Sequence, residues 1–178
     1  RGMKEKLRLL GPTEFNDIVA MNALYRPGPM AQIETYVRRK HGEEKVVYPH
    51  PHLEKILRDT YGVIVYQEQI MLIAVNFAHM SLNEADNMRR AVSKKKKEDL
   101  EYYGRIFIEK SVAAGYDLNI AKKLFDLIVT FANYGFNKSH AVVYSMLAYR
   151  LAYLKVYYTK YFMTALLNNV ISSEKKIN

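Results

Sequence analysis

From Asn137 to Lys155 apolar side chains lie nearly all the way round a helical cylinder, and this segment constrains the rest of the chain most. Tyr144, Leu147, Ala148, Leu151 and Leu154 form one stripe, and Val142, Met146, Tyr149 and Tyr153 fill the remaining faces. Such a helix needs cover on every side, so the pattern predicts a long, central, buried helix inside a helical domain. The other blocks read the same way. Phe15, Ile18 and Val19 follow Thr13, the expected N-cap of an amphipathic helix. That helix must stop before Arg26-Pro27-Gly28-Pro29, because proline disfavours helical geometry in the residue before it. A second helix, from about Met30 to Lys40, ends at His41-Gly42, with Gly42 as its left-handed C′ residue. Glu43 to Pro51 reads as a loop and His52 to Asp59 as helical.

Ile70, Ile73, Ala74 and Phe77 share one helical face. Ser81-Leu82-Asn83-Glu84 has the form of a capping box, opening a helix that runs through Arg89-Arg90. Leu100, Tyr103 and Phe107 mark another helix ending near Gly115. Ala121, Leu124, Phe125 and Ile128 mark the next, and a last one is expected near Phe162 to Val170. Tyr61 to Tyr66 is the one β-like run, too short and isolated to define a sheet. The expected fold is all-α, an irregular multi-helix domain with at most one short β-like segment near 61–66. Residues 1–171 are expected to form one domain, and 172–178 a polar tail continuing into further chain. The start at Arg1-Gly2, without methionine, reads as the inside of a longer protein.

The formal net charge of +9 favours polyanionic partners over basic or neutral ones, although a basic surface can also serve solubility alone. The absence of cysteine excludes zinc-ribbon chemistry, disulfide scaffolds and thiol nucleophiles. No stretch approaches the about 20 apolar residues needed to span a bilayer. The longest candidate, Ile70 to Met80, contains Asn76 and His79.

Three places could carry chemistry. In Arg89-Arg90-Ala91-Val92-Ser93-Lys94-Lys95-Lys96-Lys97, a continuing helix would set Arg90, Lys94 and Lys97 on one face. Two guanidiniums offer planar forks that match phosphate oxygens, and the bland alternative is a solvated basic face. In Tyr134-Gly135-Phe136-Asn137-Lys138-Ser139-His140, a helix N-terminus offers backbone amides to an anion, with an ammonium, a hydroxyl and an imidazole beside them. The bland alternative there is an ordinary N-cap at Asn137. The rigid turn Leu24-Tyr25-Arg26-Pro27-Gly28-Pro29 fixes where Arg26 points, or is simply structural.

Other features are set aside. His50-Pro51-His52 has no third ligand nearby to complete a metal site, and His79 reads as a satisfied core histidine. Ser139 and His140 are adjacent in sequence, which is no sign of a nucleophile–base pair. Asp17, Asp59, Asp86, Asp99, Asp117 and Asp126 are scattered, without the clustered carboxylates of two-metal nucleotidyl transfer. No catalytic residue and no metal ligand is therefore expected in this stretch.

Five segments in order resemble the catalytic α subunits of bacterial DNA polymerase III, replicative polymerases of the C family. They are Arg1-Gly2-Met3-Lys4, Ala23 to Pro29, Tyr61 to Gln69, Met88-Arg89-Arg90-Ala91 with the following lysines, and Phe131 to Ala141 with Tyr144 after it. Phe136-Asn137-Lys138-Ser139-His140 looks like the DnaE branch rather than PolC. The resemblance implies the fingers region, a mostly helical part that closes over the incoming nucleotide, with the catalytic aspartates in a preceding palm.

It further implies that Arg89 and Arg90 contact the triphosphate and that Lys138, Ser139 and His140 line the nucleotide pocket. Arg26, Tyr134, Asn137, Lys94 and Lys97 would be further nucleotide or DNA contacts, with Gln67 and Glu68 at polar, structural positions. The implied partners are primer-template DNA, deoxynucleoside triphosphates, the remaining domains of the α subunit and other replisome subunits, in the cytoplasm and without a membrane. Mg2+ would act in the full polymerase through the palm, with no cofactor held by this stretch and no synthesis by it alone. A stand-alone, sequence-neutral helical DNA-binding module and a protein-interaction scaffold are the competing readings.

Overall fold

The computed structural model describes residues 2–94, 96–132 and 134–170. The polar tail expected at 172–178 lies outside them, as do Arg1, Lys95 and Asn133 of the motifs above. The chain divides into two compact units, residues 1–141 and 142–178.

The first unit opens with α1 (Gly2–Leu10), α2 (Phe15–Leu24) and α3 (Ile33–Lys40), the last entered through a 3-10 turn, Pro29–Gln32. The helix at α1 has no counterpart in the sequence reading. It closes through Gly11, whose amide donates to the Leu7 carbonyl, and His41 Nε2 lies 3.0 Å from the Leu10 carbonyl. The expected cap of α2 shifts by one residue. Glu14 stands at the N-cap, and the Asp17 carboxylate accepts from the amides of Glu14 and Thr13 at 3.1 and 2.9 Å. Asp17 also takes Lys40 Nζ at 2.9 Å, with both side chains almost wholly buried, which ties α2 to α3. Gly42 ends α3 at φ +74, the left-handed geometry expected of it.

The short helix α4 (Glu54–Leu57) sits between 3-10 turns at Pro51–Leu53 and Arg58–Thr60. After it, the β-like run forms no strand. Tyr61 and Gly62 take positive φ and break it, and its later amides turn to a side chain. Gln69 Oε1 accepts from Val65 N and Tyr66 N at 2.8 and 3.0 Å, while Gln69 Nε2 donates to Thr60 Oγ1 at 2.8 Å. The described residues contain no sheet; an isolated parallel bridge joins Tyr66 to Phe136.

Helices α5 (Gln67–Ala78), α6 (Leu82–Lys94), α7 (Lys97–Ala113) and α8 (Leu118–Ala132) build the main core. The predicted stripes point inward: Ile70, Ile73, Ala74 and Phe77 of α5 and Ala121, Leu124, Phe125 and Ile128 of α8 are all buried. Phe77 stacks on Tyr116 and runs parallel to Phe107. The capping box forms as expected, with Ser81 N donating to Glu84 Oε2 at 2.7 Å and Glu84 N to Ser81 Oγ at 3.2 Å. His50 and His52 belong to this aromatic packing, His52 Nδ1 lying 2.7 Å from the Tyr116 hydroxyl. His79 is not a core histidine. It is exposed and caps α5 in left-handed geometry at φ +49, because the chain must turn there.

Helix α9 (Lys138–Tyr157) begins in the first unit, and with α10 (Thr159–Val170) it makes up the described part of the second. The long helix exists as predicted, but its burial does not. Ala141 and Ser145 are buried, whereas Tyr144, Leu147, Leu151 and Leu154 are about half exposed, at 55%, 50%, 53% and 43%. An all-round apolar pattern demands partners on every side, and among the described residues these side chains are only partly covered. Within the second unit Leu151, Leu154, Tyr158, Phe162 and Leu166 line an open apolar groove of about 420 Å³. No described helix is long and apolar enough to cross a membrane.

Candidate functional site

The bridge between Tyr66 and Phe136 gathers motifs far apart in sequence. Gln67 N donates to the Phe136 carbonyl and Phe136 N to the Val65 carbonyl, each at 3.0 Å. The first turn of α5 is thus laid against the loop that opens α9. Glu68 then reaches the start of α9, its two carboxylate oxygens 3.0 and 3.1 Å from Lys138 N. The Lys138 ammonium lies 5.3 Å from the centre of the Tyr66 ring, a cation–π contact.

Arg26 joins from the end of α2. Its Nε donates to the Ala23 carbonyl at 3.0 Å and its Nη2 to the Tyr134 carbonyl at 2.7 Å, with the guanidinium 4.3 Å from the Phe136 ring centre. Gly28 makes this docking feasible. Its φ of +101 belongs to glycine, and a Cβ there would collide with the Tyr134 ring. The turn that the sequence left open between function and architecture therefore aims Arg26 at the α9 loop.

Arg89 comes in from α6. Its Nη1 lies 3.3 Å from Gln67 Oε1, while Nε and Nη2 both reach Asp86 Oδ1 at 2.9 and 2.7 Å. Arg90 Nη2 takes the other Asp86 oxygen at 2.8 Å. The hydrogen bond from Arg89, aided by both guanidinium charges, holds the Asp86 carboxyl below the usual carboxylate range. Ser93 Oγ bridges the carbonyls of Arg89 and Ala132, fixing this turn of α6 to the end of α8.

The structure thus joins Arg26, Arg89, Tyr134 and Lys138 into one contact network around Tyr66, Gln67 and Glu68. Asn137 caps α9, its Oδ1 accepting from His140 N at 2.8 Å, and the His140 ring packs edge-on to Phe136. Ser139 and His140 are exposed on the first turn. Two expectations change. The amides of Lys138 and His140 are not open to a phosphate, because Glu68 and Asn137 already occupy them. Lys97 does not share a helix face with Arg90 and Lys94, because α6 ends at Lys94 and α7 begins at Lys97. Lys94 and Lys97 are both exposed.

The sequence reading passed over Asp86, although its i+3 and i+4 spacing to Arg89 and Arg90 was the available signal. It gave Glu68 only a structural place; nothing in local spacing reveals a contact spanning 70 residues. A metal pair does not fit the carboxylates here. Among the described residues no three or more His, Asp or Glu are grouped to hold a metal. Asp17, Asp86 and Asp117 are committed to Lys40, to the arginines and to the cap of α8.

Fold and site together define an all-helical basic domain in which Arg26, Arg89 and Lys138 are linked through the first turn of α5 and the loop that opens a long helix. The family model described as the bacterial DNA polymerase III alpha subunit finger domain matches residues 1–115, and the chain belongs to that family. It is similar to the DNA polymerase III subunit alpha of Bacillus subtilis (strain 168), 56% identical over 177 residues. It is also similar to that of Staphylococcus aureus (strain Mu50 / ATCC 700699), 54% identical over 175 residues. The alignments cover 99% and 98% of this chain but 16% of each relative, so the chain spans about a sixth of their length. They extend through the Lys138 motif, which lies beyond the residues that the family model matches.

Proposed function

We propose that this chain is the fingers region through which a bacterial replicative DNA polymerase holds the incoming deoxynucleoside triphosphate and the template during DNA synthesis. The observation that carries the reading is the network that links Arg26, Arg89 and Lys138 through Tyr66, Gln67 and Glu68. In this reading Arg89 and Arg90 take the triphosphate, and Lys138, Ser139 and His140 line the pocket. Arg26, Tyr134 and Asn137 fix its floor, and Lys94 and Lys97 contact DNA phosphates without reading sequence. Phosphoryl transfer depends mainly on such positioning and charge stabilisation. The carboxylates and Mg2+ of the reaction belong to other parts of the full polymerase, so this stretch alone makes no DNA.

In the full α subunit, Arg90→Ala is expected to raise the nucleotide KM or lower kcat by about tenfold, the scale of one charge-assisted hydrogen bond. Primer-template affinity should stay within about twofold, since one phosphate contact among many is not at stake. An equal loss of primer-template binding and nucleotide use would sink the triphosphate role.

The open apolar faces of α9 and α10 have a place in this reading. They are covered by the remaining domains of the α subunit, as side chains half exposed in a soluble protein call for. This chain alone is then expected to bind an apolar-surface dye strongly and the full subunit weakly per molecule. Equal dye binding by the two would remove that partner assignment.

A further inference from the structure

We propose that Asp86 is the positioning residue of the arginine pair. It locks Arg89 as a fixed arm and holds Arg90 as a releasable one, which the triphosphate takes from it on binding. This rests on the triphosphate reading above and assigns different work to two arginines that the sequence pattern treats alike.

The two guanidiniums share Asp86 but differ in exposure and in the number of contacts that hold them. Arg89 is held on two edges, by Asp86 Oδ1 through Nε and Nη2 and by Gln67 Oε1 through Nη1, and its side chain is 17% exposed. Its turn of helix is pinned from behind by Ser93 on Ala132. Such an arm is preorganised, and it keeps N–H groups beyond those it spends on Asp86 and Gln67. Arg90 is 64% exposed and its ion pair is the single contact of Nη2 with Asp86 Oδ2, at i+4 spacing. Exposed pairs of that kind are weak and screened by salt. A triphosphate carries more charge than one carboxylate and accepts guanidinium forks in the same planar way, so it wins Arg90. Asp86 then retains Arg89, whose contacts do not depend on Arg90. Asp86 itself stays ionised across the working range, because Arg89 and Arg90 hold its carboxyl acidic.

The test is single-nucleotide incorporation by the full α subunit, with deoxynucleoside triphosphate titrated and pyrophosphate added as inhibitor. Asp86→Asn keeps an acceptor oxygen for Arg89 but removes the charge that holds Arg90. It is expected to lower the nucleotide KM by about two- to fivefold and to strengthen pyrophosphate inhibition similarly, with kcat retained. In an Arg90→Ala background the same substitution should give no gain, since the released arm is gone. Asp86→Ala also frees Arg89 and should lower kcat by about fivefold. Thermal melting of each variant separates these effects from misfolding, and the Asn variant is isosteric.

A rise in KM for Asp86→Asn, or a gain that persists without Arg90, would overturn the assignment. So would an Asn variant indistinguishable from the parent while Arg90→Ala is impaired, and the triphosphate reading would then survive. An Arg90→Ala variant with unchanged nucleotide use would instead bring down that reading itself.

Discussion

Asp17→Ala is expected to destabilise the chain by about 3–5 kcal/mol, the scale for removing one partner of a buried ion pair. In a domain of this size that should lower Tm by roughly 6–20 °C. The Lys40 and Asp17 side chains are 8% and 4% exposed, so alanine would leave an ammonium out of water without its counter-ion. Lys40 would keep its 2.8 Å contact with Thr13 Oγ1, which does not neutralise it. The amides of Thr13 and Glu14 would lose their acceptor as well. Replacing both partners with apolar residues of similar size, Asp17→Leu with Lys40→Met, should recover the part of the loss that comes from the orphaned charge but not the two amide bonds.

The pair also sets a pH window. Burial pushes the Asp17 carboxyl up, but the Lys40 hydrogen bond and those from the Thr13 and Glu14 amides outweigh it, and its pKa falls below the ordinary 3.8. A depressed acid contributes stability that is complete above its unfolded value and is lost as pH falls through the folded one. For Lys40, burial pulls the pKa down and Asp17 more than restores it, raising it above 10.5. Its contribution is complete below that value and is lost as pH rises through the raised one. The native chain should therefore gain most from the pair between these limits, and Asp17→Ala should flatten the acid limb of a denaturation-against-pH curve. An unchanged acid limb, or a harmless Asp17→Ala, would show that α2 and α3 do not depend on this pair.

Helices were legible because their signals are local. Period, caps and breakers lie within a few residues of one another, and Ile70, Ile73, Ala74 and Phe77 needed nothing distant to be read as a buried face. The run Tyr61–Tyr66, expected to define no sheet, forms none. Its residues favour β-structure, but Gln69 satisfies two of its amides four and three residues away and leaves them nothing to pair with. The exposed α9 is where local signals stop. Its pattern states correctly that the helix wants cover, but no pattern states whether the cover lies in the same stretch of chain.

For the site, residue types and motifs were readable and their pairing was not. Arg89 and Lys138 stood out in sequence as cations in short motifs. What binds them into one place is a backbone bridge from Tyr66 to Phe136 and two side chains, Gln67 and Glu68, that touch partners 22 and 70 residues away. Long-range hydrogen bonds of this kind leave no periodicity. In the proposed reading the internal carboxylates decide which groups at the site stay open. Glu68 closes the Lys138 amide, and Asp86 divides the arginine pair.

Gly28→Ala is expected to cut kcat/KM for nucleotide by about 10²-fold in the full α subunit, a loss that a displacement near 1 Å at a positioned site can cause. The residue sits at φ +101, where an L side chain costs about 1–3 kcal/mol. Strain alone would not reach the site, but the new Cβ would also land on the Tyr134 ring. Backbone cannot yield easily between Pro27 and Pro29, so the tyrosine must move. Its carbonyl is the acceptor for Arg26, and two residues on Phe136 carries the bridge to α5, followed by Lys138 at the head of α9. A shift of Tyr134 therefore passes to Arg26 and Lys138 together. Gly42→Ala supplies the control: φ is +74, so the backbone cost is of the same kind, but a Cβ there meets nothing within 4 Å. Gly42→Ala should lose stability and keep nucleotide use, while Gly28→Ala loses both. If the two variants behave alike in single-nucleotide incorporation, the Arg26 turn is not a support of the site and strain alone accounts for the glycine.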